Sequence, residues 1–203
     1  MAIVAFPSSL PPPNSMSMGL RANTQSGGRS PFDGTEQSIA LPGARWVAEL
    51  RFNNLTTAQG RVLDGFVAGL NGTAGRFTWA PPFPRRGTAG GSPTVRLPSV
   101  GTILSTQGWT ADGIGFEAGD FFSVLDPTGR PQLFRVRDAA GTTGAGWCDF
   151  FVAPIIRRSP NVNAPLILTN PAAVWRLSED TVMTDYAPGG FSDIVLNIEE
   201  AIW

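Results

Sequence analysis

The stretch Ala44-Arg-Trp-Val-Ala-Glu-Leu-Arg-Phe52, followed by Asn53-Asn-Leu-Thr-Thr-Ala-Gln-Gly-Arg-Val-Leu-Asp-Gly-Phe-Val-Ala-Gly-Leu70, decides the fold. In its first part Trp46, Ala48, Leu50 and Phe52 alternate with Arg45, Val47, Glu49 and Arg51. That period of two is a half-buried strand whose second face carries charges of both signs. The period then changes. Val62, Leu63, Phe66, Val67 and Leu70 share one face of an amphipathic helix. Thr56 or Thr57 suits its N-cap and Asn71-Gly72 its C-terminal stop, so the helix is expected over 57–70. Gly60, Gly65 and Gly69 each cost about 1 kcal/mol relative to Ala. Tertiary packing must therefore hold this helix, and its small residues would let a sheet approach closely.

Outward from this pair, the chain reads as short strands separated by turns. Met16, Met18 and Leu20 alternate with Ser15, Ser17, Gly19 and Arg21 after a Pro-rich lead-in at 7–14. Residues 23–34 read as turn chemistry, and 35–41 as a short strand. A strand at 76–80 ends at Pro81-Pro82, and 81–99 reads as a Pro/Gly/Arg-rich surface loop. Further strand-like runs lie at 102–105, 121–125, 132–137, 147–153, 165–169, 173–177, 181–186 and 192–198. The tally is roughly ten to twelve strands and one long helix, a mainly β protein.

Composition narrows the chemistry. The 203 residues contain no histidine, one cysteine, and 15 basic residues that are all arginine. The usual general base, Schiff-base amine and phosphate-loop lysine are therefore missing. Cys148 has no histidine partner and sits in the apolar run Trp147-Cys-Asp-Phe-Phe, so it reads as a small buried hydrophobe. Glu117 with Asp120, Glu179 with Asp180 and Asp185, and Glu199 with Glu200 are the carboxylate groupings. They lie at turns and strand ends, which favours structural roles over a glycosidase pair. No calcium loop or phosphate-binding motif is present. A formal charge of -1 gives no nucleic-acid footprint. The N-terminal segment lacks a charged leader, and no apolar run reaches the roughly 18 residues of a membrane span. The chain is expected to have no enzymatic activity, no cofactor, and no membrane or specific nucleic-acid partner. Six tryptophans spread through the strands suit core and interface packing; sugar stacking is the other use of such rings.

The order of segments carries a resemblance. Arg29-Ser-Pro-Phe-Asp-Gly-Thr-Glu-Gln37 precedes the Trp46 strand and the helix, and Asn71-Gly-Thr-Ala-Gly-Arg-Phe-Thr-Trp-Ala-Pro-Pro82 follows. Later come Gly108-Trp-Thr, Phe116-Glu-Ala-Gly-Asp-Phe-Phe122, Leu133-Phe-Arg-Val136, Val152-Ala-Pro-Ile-Ile-Arg-Arg158, Asn170-Pro171 and Trp175-Arg-Leu177. Over roughly residues 15–203 this order resembles the distal tail proteins of long non-contractile-tailed bacteriophages and gene transfer agents. The chain departs from that pattern in its 81–99 loop and in lacking a second Trp beside Trp46.

The resemblance implies a tail-tube-like β-sandwich or barrel with one flanking helix, at 1–95 and 165–203. It also implies an inserted small β-barrel domain at 96–164. The implied function is a virion tail-tip part, made in the host cytoplasm. It would form a homo-oligomeric, six-fold ring joining the tail tube protein to the tail hub protein, with the tape measure protein as a further contact. Interface candidates are the strand face Arg45, Glu49 and Arg51, the loop residues Arg85 and Arg86, and Trp203. Two other classes stay open: another tail or baseplate component such as a hub or fibre-attachment protein, and a host-surface carbohydrate-binding module.

Overall fold

The computed structural model describes residues 2–187 and 189–202. In chain order its strands begin with β1 (Ile3–Ala5), β2 (Ser15–Arg21), β3 (Thr24–Arg29), β4 (Glu36–Ala40) and β5 (Arg45–Thr56). The one α-helix, α1 (Thr57–Leu70), precedes β6 (Arg76–Trp79). Then come β7 (Gly91–Val95), β8 (Gly101–Trp109), β9 (Ile114–Phe116), β10 (Phe121–Leu125), β11 (Pro131–Val136), β12 (Ala140–Gly141), β13 (Trp147–Ile156) and β14 (Leu166–Ile167). The chain closes with β15 (Ala173–Leu177), β16 (Thr184–Ala187) and β17 (Phe191–Glu200). The protein is mainly β, with one half-barrel sheet and one nearly closed barrel sheet. Among the described residues no helix is long and apolar enough to cross a membrane.

The half-barrel runs β1-β6-β15-β17-β5-β2, with β16 on the free part of β17. The alternation expected around Trp46 is realised: Trp46, Ala48, Leu50 and Phe52 are buried. β17 supplies Ile194, Leu196 and Ile198 to the same core, and β6 and β15 supply Phe77 and Trp175. The helix lies against this core. Thr56 is its N-cap and forms a reciprocal capping box with Gln59, while Asn71 closes it in the left-handed region at φ 54°. Leu63 and Leu70 are buried, and Phe66 is half-buried, edge-on to both Phe6 and Phe77. Val62, expected on the apolar face, is instead 42% exposed. Of the three helix glycines only Gly60 marks a close approach. A Cβ there would meet Ser192 Oγ closer than 3.0 Å, whereas Gly65 and Gly69 face open space.

The second sheet runs β14-β10-β11-β13-β8-β7 around Phe116, Phe122, Phe134 and Phe150. Its six strands include β7 and β14, so the expected boundaries at 95/96 and 164/165 both move outward. The first sheet stops at Trp79 and resumes at Ala173, in strands that pair directly with each other. The loop expected over 81–99 thus contains a strand. Its proline and glycine content is compatible with β7 because β7 is an edge strand with an irregular register on β8. Residues 23–34, read as turns, contain β3, which among the described residues pairs only with β4. β1, absent from the sequence reading, pairs in parallel with β6.

The two cores meet across a seam. Phe121 and Leu133, from strands of the second sheet, are buried in the first core. Trp46 Nε1 donates to the Leu133 carbonyl at 3.0 Å, and the Trp46 and Phe121 rings lie 5.4 Å apart. Arg157 of the second unit reaches both carboxylate oxygens of Glu200 and donates to the Ala44 carbonyl.

Candidate functional site

Strand alternation places the polar residues of the half-barrel on the face opposite the helix. Register pairs Arg21 with Arg45, Ser17 with Glu49, and Ser15 with Arg51 along β2 and β5. It pairs Val47 with Glu199, and Glu199 with Arg176, along β5, β17 and β15. Arg45, Glu49 and Arg51 therefore share one face, as the sequence spacing implied. Glu49 and Arg51 form an ion pair with each other. Arg45 turns instead to Glu199, at 3.4 Å. Arg21 reaches the other oxygen of Glu199 at 3.2 Å, and Arg176 donates two nitrogens to Oε1. Glu199 is buried, and these three guanidinium groups are its ion-pair partners. Beside them, burial and the charge of Arg176 pull the Arg76 guanidinium below its ordinary pKa.

Arg85 and Arg86 do not join this face. Arg85 donates to the carbonyls of Gly115 and Ala89 and lies over the Trp109 ring, 5.5 Å from its centroid. It is half-buried, and the two carbonyls and two aromatic rings that receive its guanidinium all belong to the second unit. Arg86 pairs with buried Asp120 and donates to the Ala118 carbonyl, although its side chain remains 62% exposed. Trp203 lies outside the described residues.

Four of the carboxylates in those groupings, Asp120, Asp180, Glu199 and Glu200, are engaged in structure. Asp120 accepts the backbone N–H groups of Arg86, Gly87 and Glu117. Asp180 accepts Thr73 N–H, which holds its carboxyl below the usual range. Glu200 accepts Trp46 N–H and Arg157 and points to the opposite face of β17 from Glu199. Cys148 is buried, and desolvation, helped by the charge of Asp149, pushes its thiol up to about 11. Among the described residues, no group of three or more His, Cys, Asp or Glu side chains is placed to hold a metal.

Two exposed features were not foreseen. The β3–β4 hairpin is an arm with every described side chain of β3 exposed and Phe32 at its tip 97% exposed. Hydrogen bonds from Ser30 and Thr35 hold the tip carboxyl of Asp33 down to about 2. On the outer face of the second sheet, Trp147 and Phe151 of β13 are 45% and 43% exposed, next to Ile103. Arg96 lies over Trp147 and pairs with Asp149, while Arg137 lies over Phe151. The alternation of Trp147, Asp149 and Phe151 could have revealed this strip. A search of protein-family models finds no family that matches the chain, and a search of curated proteins finds no match.

Proposed function

We propose that this protein is a structural part of a virion tail tip: a ring-forming adaptor between the tail tube and the hub. The observation that carries the reading is architectural. A whole second β unit is inserted between β6 and β15, adjacent antiparallel strands of an open, helix-backed sheet. The family that the segment order from Arg29 to Leu177 resembles implies such a core-plus-insert layout. The exposed arm adds support, because an isolated two-stranded hairpin is marginal in water and gains order by lying on a partner. The open sheet edges at β1 and β2 leave backbone groups for neighbouring chains. In this reading the protein acts by shape, and the structural engagement of Asp120, Asp180, Glu199 and Glu200 and the burial of the Cys148 thiol support a role without catalysis. Contacts in a closed ring are heterologous, so two different faces of the subunit must match.

The test is immunogold electron microscopy of purified particles with an antibody against the chain. Gold confined to the tail tip is expected; gold on the capsid or along the tail refutes the proposal. The Trp147–Phe151 strip favours one second reading, a carbohydrate-binding face, since exposed rings flanked by polar groups can stack on sugars. A glycan array with wild-type and Trp147→Ala protein checks it: binding lost on substitution would support it.

A further inference from the structure

We propose that the cavity at Arg21, Arg45 and Arg176 is an anion socket that receives a carboxylate-bearing segment of another protein chain. This inference does not rest on the tail-tip reading. Its first support is charge: these three guanidinium groups converge on the single carboxylate of Glu199, and Arg76 lies close enough to Arg176 for repulsion. One buried anion cannot neutralise them, and an incoming anion would relieve the repulsion.

Its second support is geometry. Arg21 and Arg45 each direct one nitrogen to Glu199, and the rest of both forks carries no hydrogen bond among the described residues. Arg21 is 62% exposed at its side chain while Glu199 is 7% exposed, so donors line the mouth and the built-in carboxylate lies at the base. The cavity measures about 340 Å³. A second cavity of about 470 Å³ shares Arg21 and runs past Ser17, Gly19 and Asn197. Among the described residues nothing lies within 4 Å of a Cβ at Gly19, which leaves room for a chain there.

The third support selects the ligand. Guanidinium forks match planar carboxylates, as Glu199 already demonstrates with both oxygens engaged. Glu49 and Glu179 line the second cavity and would repel a continuous phosphate backbone. A polypeptide with acidic residues at one end and small neutral residues behind them fits both cavities.

The experiment titrates a fluorescent peptide, acetyl-Glu-Glu-Ser-Gly-Val-Ser-Gly-Val-amide, into the full chain at low salt, with pyrophosphate as the phosphate probe. Saturable peptide binding is expected, weakening about tenfold or more in Arg21→Ala/Arg45→Ala and changing less than about twofold in the equally charged control Arg61→Ala/Arg137→Ala. Glu199→Gln, which removes the competing carboxylate, is expected to tighten binding several-fold. Arg176 still pairs with Glu199 in the Arg21→Ala/Arg45→Ala variant, whose circular dichroism should match that of the wild type, so the test stands should Glu199→Gln misfold. No peptide binding at about 1 mM, equal losses in both double variants, or tighter binding of pyrophosphate than of peptide overturns the proposal.

Discussion

Replacing Gly60 by alanine tests how closely the helix sits on its sheet. In an open helix interior, Gly to Ala stabilises by about 1 kcal/mol through propensity. At Gly60 the new Cβ would meet Ser192 Oγ closer than 3.0 Å, with Ser192 Cβ at 3.4 Å. Ser192 is 3% exposed, so the packing around it limits where its hydroxyl can turn, and among the described residues that hydroxyl has no hydrogen-bond partner. Overpacking of this kind costs about 1–3 kcal/mol, so Gly60→Ala should destabilise by about 1 kcal/mol net. Gly65→Ala and Gly69→Ala meet open space and should stabilise by up to about 1 kcal/mol each. The discriminating variant is Ser192→Ala. It removes both the clash and an unsatisfied buried hydroxyl, so Gly60→Ala in that background should become stabilising. Urea unfolding of the four proteins in this double-mutant cycle should give a coupling of about 1 kcal/mol or more. Gly60→Ala as stabilising as Gly65→Ala, with no coupling to Ser192, would refute the close approach.

Glu200→Ala should cost about 3–5 kcal/mol, because it strips Arg157 of its carboxylate and Trp46 N–H of its acceptor at the seam; thermal unfolding reads the loss, and an unchanged midpoint would remove the seam's ionic clamp. Phe66→Ala should cost less than the 3–5 kcal/mol of a fully buried ring, about 2 kcal/mol, since Phe66 is only half-buried; denaturant titration checks this. The Cys148 thiol, raised to about 11 from its ordinary 9.0, keeps its proton in the fold while the unfolded chain loses its own. Its contribution to stability is thus complete below pH 9 and is lost as pH rises towards 11, and Cys148→Ala should flatten that part of a stability-against-pH curve.

Elements with strong local periodicity were legible in the sequence. The Trp46 strand and α1 stand where the change of period put them, and β10 and β15 match the expected 121–125 and 173–177 runs. β1, β3 and β7 were not legible, because each is short or rich in Gly and Pro and forms through pairing with a distant strand or a hairpin partner. Missing β7 is what set the insert boundary too late. The face holding Arg45, Glu49 and Arg51 could be read from alternation, yet the Glu199 cluster could not: it joins Arg21 and Glu199 across a separation of 178 residues. The packing of Arg85 over Trp109 and Phe116 was not legible either, because loop composition carries no sign of the rings that receive it.

The central claim, a tail-tip ring adaptor, is tested most directly by a cryo-electron microscopy reconstruction of the intact particle, into which this two-unit fold can be fitted. The account predicts copies of the half-barrel arranged as a closed ring around the tail axis, between the last tube ring and the hub, with the inserted unit held by the Trp46–Leu133 and Arg157–Glu200 contacts. Density for the chain found away from that axis, as a peripheral fibre or a capsid decoration, would contradict it.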